Sequence, residues 1–66
     1  MKTHGTILTD RQVEVLELRE SGQTQQEVAD RLETTASNVS AVERAAETNI
    51  EKARRTVELV RTLRAP

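Results

Sequence analysis

Ser37, Ser40, Ala41 and Arg44 follow one another at steps of three, one and three residues. At roughly 100° per residue such positions fall on one face of a helix. Together they make a slim polar surface with one long cation. A serine hydroxyl both donates and accepts, a methyl group adds little bulk, and a guanidinium offers a planar fork of donors that grips two neighbouring acceptors at once. A face of this kind can sink into the major groove of duplex DNA, where serine pairs with several base edges and arginine takes the two acceptors of guanine. Taken singly, the same residues are what any small helical domain shows to water. Their meaning therefore depends on the elements that hold them.

Those elements are written in the stretch 24–44, TQQEVADRLETTASNVSAVER. Thr24 can cap a helix while Glu27, three residues on, reaches back to the cap's own N–H in a capping box. Thr35 can cap a second helix that opens with Ala36, Ser37 and Asn38, and Glu33 and Thr34 leave room only for a tight turn. Two capped helices joined so closely are the sequence form of a helix-turn-helix. Val28, Ala29 and Leu32 line one face of the first, and Val39, Val42 and Ala46 line one face of the second, because residues three and four apart stack above one another. Ala29 is the small residue at which the two helices can cross closely. Glu33 stands where many helix-turn-helix units have glycine, so the turn is expected either to carry a small strain or to take a different path.

Upstream, Thr9 and Gln12 form another capping box, so a further helix is expected from Asp10 to about Glu20, ended by Gly22. Its apolar residues Val13, Val15, Leu16 and Leu18 spread round more than one side, as in a helix sandwiched between others, and it is expected at the centre of the core. Residues 1–6 read as a flexible polar tail. His4, alone there with no second ligand, makes a poor metal site and a poor base.

Downstream, Ile50, Ala53, Val57 and Val60 alternate steps of three and four, a heptad-like seam that Leu59 and Leu63 are expected to widen. Two arrangements fit it: packing back onto the first helix, or dimerisation between copies. Two also fit the backbone. Thr48 or Asn49 caps a separate C-terminal helix at about 49–63, or, as the region holds neither glycine nor proline before Pro66, one bent helix continues from Ala36. The expected fold is all-α, a single domain over 1–66: a helix-turn-helix with three core helices plus a C-terminal helix, able to dimerise.

The 66 residues suffice for one small domain. With no cysteine, disulfides, cysteine–zinc sites and a thiol nucleophile are excluded, and a cytoplasmic location is the expectation. Without an aromatic residue there is no stacking platform for single strands, which leaves duplex DNA as the better target. No apolar run approaches the ~20 residues that span a bilayer. No metal site, cofactor, small-molecule substrate or catalytic constellation is evident, so an enzyme is not expected. The net charge of −1 hides an asymmetry: residues 1–35 hold four basic and seven acidic side chains, residues 36–66 six basic and four acidic. Positive charge thus gathers in the half that holds the reading face.

Leu8-Thr9-Asp10-Arg11-Gln12, Val15-Leu16, Leu18-Arg19, Gly22, Thr24-Gln25, Val28-Ala29, Leu32, Thr34-Thr35, Asn38-Val39-Ser40, Glu43 and Asn49-Ile50-Glu51-Lys52-Ala53-Arg54 together resemble the Tfx-type archaeal DNA-binding transcriptional regulators, over nearly the whole chain. The earlier half is shared with sigma-region-4-like and LuxR-type helix-turn-helix domains. The resemblance implies a recognition helix from Thr35 to Arg44, with Ser37, Ser40, Ala41 and Arg44 toward the groove and Thr35 and Ala36 at its mouth. It implies that Gln25 and Gln26 meet phosphates. Asn38 has three roles open to it: a phosphate contact, a base contact, or support of the cap. Tfx-type members usually carry a further C-terminal domain, for which 66 residues leave no length.

The function expected is that of a sequence-specific double-stranded DNA-binding transcriptional regulator, acting as a homodimer through Ile50, Ala53, Val57 and Val60 on half-sites about one helical turn apart. The competing expectation is a protein–protein adaptor that docks on a transcription protein through its C-terminal helix and does not touch DNA.

Overall fold

The computed structural model describes residues 7–66, and both the expected tail at 1–6 and His4 lie outside them. Among the described residues the fold is all-α, with α1 Asp10–Glu20, α2 Gln25–Arg31 and α3 Ala36–Arg64.

Each helix begins where a short side chain can satisfy otherwise orphaned backbone N–H groups. The Thr9 hydroxyl accepts from the Gln12 N–H at 3.1 Å, and the Thr9 N–H donates to the Gln12 side chain at 3.1 Å. Thr24 and Glu27 repeat the exchange at 3.1 and 2.9 Å. Thr35 accepts from the Asn38 N–H at 3.1 Å. All three starts fall where the cap residues predict them.

The first two helices end alike. Gln23 N–H donates to the Leu18 carbonyl at 3.3 Å and Gly22 N–H to that of Arg19 at 3.0 Å; Thr34 N–H donates to Ala29 at 2.9 Å and Glu33 N–H to Asp30 at 3.4 Å. Both are Schellman closures, which need a left-handed residue just past the helix. At the first that residue is Gly22, with φ 99°; at the second it is Glu33, with φ 57°. Glutamate thus occupies the strained position expected of it.

Val15, Val28, Ala29 and Val39 are buried together, with Leu18, Leu32 and Val42 packed against them, and Ala46 is buried further along α3. The two stripes of the helix-turn-helix do face each other. α1 is less central than expected: Val15 is its one fully buried residue, while Val13, Leu16 and Leu18 are half-buried. The core is built on α3, which packs against both α1 and α2, while those two meet each other less.

α3 settles the alternatives left open downstream. It runs unbroken for 29 residues, so there is no separate C-terminal helix starting near 49. Thr48 does not cap, because its hydroxyl donates back to the Arg44 carbonyl at 3.0 Å. Back-bonding of this kind keeps a threonine inside a helix, which it often bends. Thr56 and Thr62 do the same toward Lys52 and Glu58, at 2.9 and 3.0 Å. At 1.5 Å per residue α3 is about 43 Å long, nearly the 51 Å length of the molecule. Its C-terminal half therefore overhangs the three-helix core.

The seam lies on this overhang. Ile50 and Val57 remain 37% and 49% exposed, and Ala53 and Val60 are half-buried. Packing onto α1 does not cover it. Leu59 and Leu63, expected to widen the seam, stand about 140° and 100° round the helix from its centre. They are 58% and 74% exposed and belong to a different side.

Candidate nucleic-acid interface

The first three turns of α3 carry the residues expected to read DNA. Val39, buried, and Val42, packed against the core, fix the rotation of the helix about its own axis. Ser37, Ala41 and Arg44 are consequently exposed, and Ser40 is half-buried at the edge. Gln25, Ala36, Ser37, Ser40 and Arg44 line one shallow concavity of about 410 Å³. The Arg44 guanidinium has no ion-pair or hydrogen-bond partner among the described residues. It is a cation held on a rigid helix with its donors unspent. Thr35 and Ala36 sit at the start of that helix, the Thr35 hydroxyl engaged as its cap.

A three-part hydrogen-bond junction, missed in the sequence, sets the angle of this helix. Arg19 of α1 donates through Nε to Glu43 Oε2 at 3.0 Å, and through a terminal nitrogen to the Gln23 carbonyl at 2.8 Å. Gln25 of α2 donates its amide to Glu43 Oε1 at 3.0 Å. One carboxylate on α3 is thereby tied to both preceding helices. The Gln25 hydrogen bond first, and then the Arg19 guanidinium, hold the Glu43 carboxyl below the ordinary carboxylate range, against an opposing effect of burial. One sequence signal was available: Glu43 is the acid at the rim between the valine stripe and the serine face, where nothing local explains it.

This junction changes the roles of neighbouring side chains. The amide of Gln25 donates to Glu43, and that of Gln26 to Asp30 at 2.8 Å. Each amide keeps its second N–H, so the phosphate contact implied for these two is left to one side-chain donor apiece and to the backbone N–H groups at the start of α2. Asn38 donates to the Thr34 hydroxyl at 2.7 Å. Of the three roles open to it, the geometry displays support of the turn and cap.

The proposed dimer residues are on the far side of the same helix. The mean direction of Ile50, Ala53, Val57 and Val60 is about 180° from that of Ser37, Ser40, Ala41 and Arg44. No group of acidic or histidine side chains able to hold a metal ion occurs among the described residues, and no helix there is long and apolar enough to cross a membrane.

Comparison with known proteins places this geometry. The family described as bacterial regulatory proteins of the luxR family matches residues 6–62. The DNA-binding protein Tfx of Methanothermobacter thermautotrophicus is 52% identical over 61 residues, which are 92% of this chain and 44% of that protein. The DNA-binding protein Tfx of Methanothermobacter marburgensis gives the same identity and coverage. The chain spans less than half the length of these relatives. No solved structure matches it. With two capped helices, a tight turn and a match over nearly all its residues, the chain belongs to the luxR-type family of helix-turn-helix regulatory proteins and is similar within it to the archaeal Tfx proteins.

Proposed function

We propose that the protein is a sequence-specific double-stranded DNA-binding transcriptional regulator, acting in the cytoplasm, whose recognition helix is the segment from the Thr35 cap to Arg44. One observation carries this: a slim serine and alanine face, with an unpaired Arg44, lies exposed on a helix that α1 and α2 hold through Glu43. Membership of a regulatory family and likeness to proteins named DNA-binding support it. In this reading Arg44 takes guanine through two hydrogen bonds, and Ser37, Ser40 and Ala41 set the depth of entry.

We infer further that Ile50, Ala53, Val57 and Val60 pair two copies. In any two-fold arrangement about this seam, what points toward the partner in one copy points back in the other. The reading faces, opposite the seam, then stand back to back. With the seam opposite the reading face, this reading departs from the two half-sites one turn apart on a single duplex that the sequence led us to expect. Each copy instead addresses its own stretch of duplex.

The test is selection of bound sequences from a random duplex library, followed by gel-shift titration of Arg44→Ala on the recovered site. Loss of about 1–3 kcal/mol of specific binding with the fold intact is expected. An unchanged affinity removes Arg44 from the reading face, and recovery of no sequence removes the regulator in favour of an adaptor.

A further inference from the structure

The continuation of α3 past Arg44 is not used by the recognition helix as proposed, yet its charges are ordered. Thr48, Lys52 and Arg55 follow Arg44 at steps of four, four and three, and so lie within about 60° of the direction of Ser37 on the helix wheel. Arg44, Thr48, Lys52 and Arg55 line one shallow groove with Glu47 and Glu51. The Lys52 ammonium has no partner among the described residues. Arg55 is 78% exposed and, among the described residues, pairs with Glu51 alone, at 3.2 Å. The two acids stand on one edge of this stripe and the cations along its middle and other edge.

The distances decide what the stripe can reach. From Arg44, Lys52 is about 12 Å and Arg55 about 16 Å further along the axis. The major groove is about 12 Å wide. A helix whose Ser37 to Arg44 segment crosses the groove on base edges has left it by Lys52, and its far end passes over the sugar–phosphate backbone. Because α3 is unbroken through Thr48, Lys52 and Arg55 are carried there rigidly.

We propose that Lys52 and Arg55 form a second contact with duplex DNA, a clamp on backbone phosphates beyond the recognition segment and on the same face of α3. It rests on the DNA-binding reading and adds to it a surface that supplies affinity without sequence information. Glu47 and Glu51, on the opposite edge, repel phosphate and tilt the helix so that its cationic edge approaches the strand. On binding, Arg55 exchanges the exposed Glu51 carboxylate for a phosphate.

Fluorescence anisotropy with the full 66-residue chain, on the selected duplex and on a random duplex over a series of salt concentrations, tests the clamp. Lys52→Gln and Arg55→Gln should each lower the slope of log affinity against log salt by about 0.9, and weaken both duplexes by the same factor. Glu51→Gln should tighten both, since it removes a repelling charge and frees Arg55. Circular dichroism should show all three variants as helical as the parent. An unchanged salt slope in the Lys52→Gln, Arg55→Gln double variant overturns the clamp. So does a loss confined to the selected duplex, which would mean base reading. If the parent binds no duplex, the clamp falls together with the DNA-binding reading. If Arg44→Ala lowers the preference for the selected duplex while the slopes ignore Lys52 and Arg55, the clamp alone falls.

Discussion

Arg19 of α1 and Glu43 of α3 meet at 3.0 Å across 24 residues of chain, and Gln25 of α2 takes the second oxygen of the same carboxylate at 3.0 Å. The Glu43 side chain is 16% exposed and that of Arg19 35%, so the pair is shielded more than a surface ion pair and less than a buried one. Glu43→Ala, which strands both donors, is expected to destabilise the fold by about 1–2 kcal/mol, after allowance for the screening that water gives Arg19. Urea unfolding monitored by circular dichroism measures it. Because the junction orients the reading helix, affinity for duplex DNA should fall as well, in contrast to the exposed Ala45→Ser, which should change neither.

The pH dependence follows from two carboxylates. Glu43 is held below the ordinary value of 4.5 by Gln25 and then Arg19, and Glu27 below it by the backbone and hydroxyl of Thr24. A folded-state value below the unfolded one favours the folded state fully at pH above about 4.5 and loses that contribution as the pH falls through the lower, folded value. Stability should therefore drop below pH 4.5. Glu43→Gln should flatten that drop, seen as a smaller change in urea midpoint between neutral and acid pH. A profile identical to the parent's would show that the Glu43 charge contributes nothing.

Glu33 is the left-handed residue of the second helix ending, φ 57°. A side chain there costs about 1–2 kcal/mol, and glycine gives back about 0.4–1 kcal/mol through the greater freedom of the unfolded chain. Glu33→Gly is expected to stabilise the fold by a net of about 0.5–1 kcal/mol, seen as a higher urea midpoint with the slope of the transition unchanged. A lower midpoint would mean that the Glu33 side chain earns its place in some other way.

Ala29 is fully buried among Val15, Val28 and Val39. Ala29→Leu forces three extra carbons between α2 and α3 and is expected to cost about 1–3 kcal/mol. With only five fully buried hydrophobic residues among those described, the fold has little stability in reserve. A broadened, lowered thermal transition is the expected readout. A transition as sharp and as high as the parent's would place the helix crossing elsewhere.

Val57, 49% exposed on the seam, separates dimer from monomer. Val57→Glu should change the stability of a single copy by no more than about 0.5 kcal/mol, yet halve the mass found by light scattering at concentrations where the parent is a dimer. Equal masses for variant and parent would remove the seam as an interface.

Local sequence determined the starts and stops of the helices. Thr9 with Gln12 and Thr24 with Glu27 are exchanges across three residues, Thr35 accepts from Asn38 over the same span, and Gly22 and Glu33 act on the turn they occupy, so no distant partner is needed to read them. The valine stripes were legible for the same reason, since helical periodicity alone puts Val28, Ala29, Val39 and Ala46 inward. Tertiary structure decided the rest. That Glu43 joins Arg19 to Gln25, and thereby fixes the orientation of the Gln25 amide, depends on how three helix axes cross, which no spacing within one helix encodes. That α3 runs unbroken through Thr48 goes with a hydroxyl that bonds back to the Arg44 carbonyl and not forward to a new helix start. Both are open to threonine, and the choice sets the reading face and the seam on opposite sides of one rod.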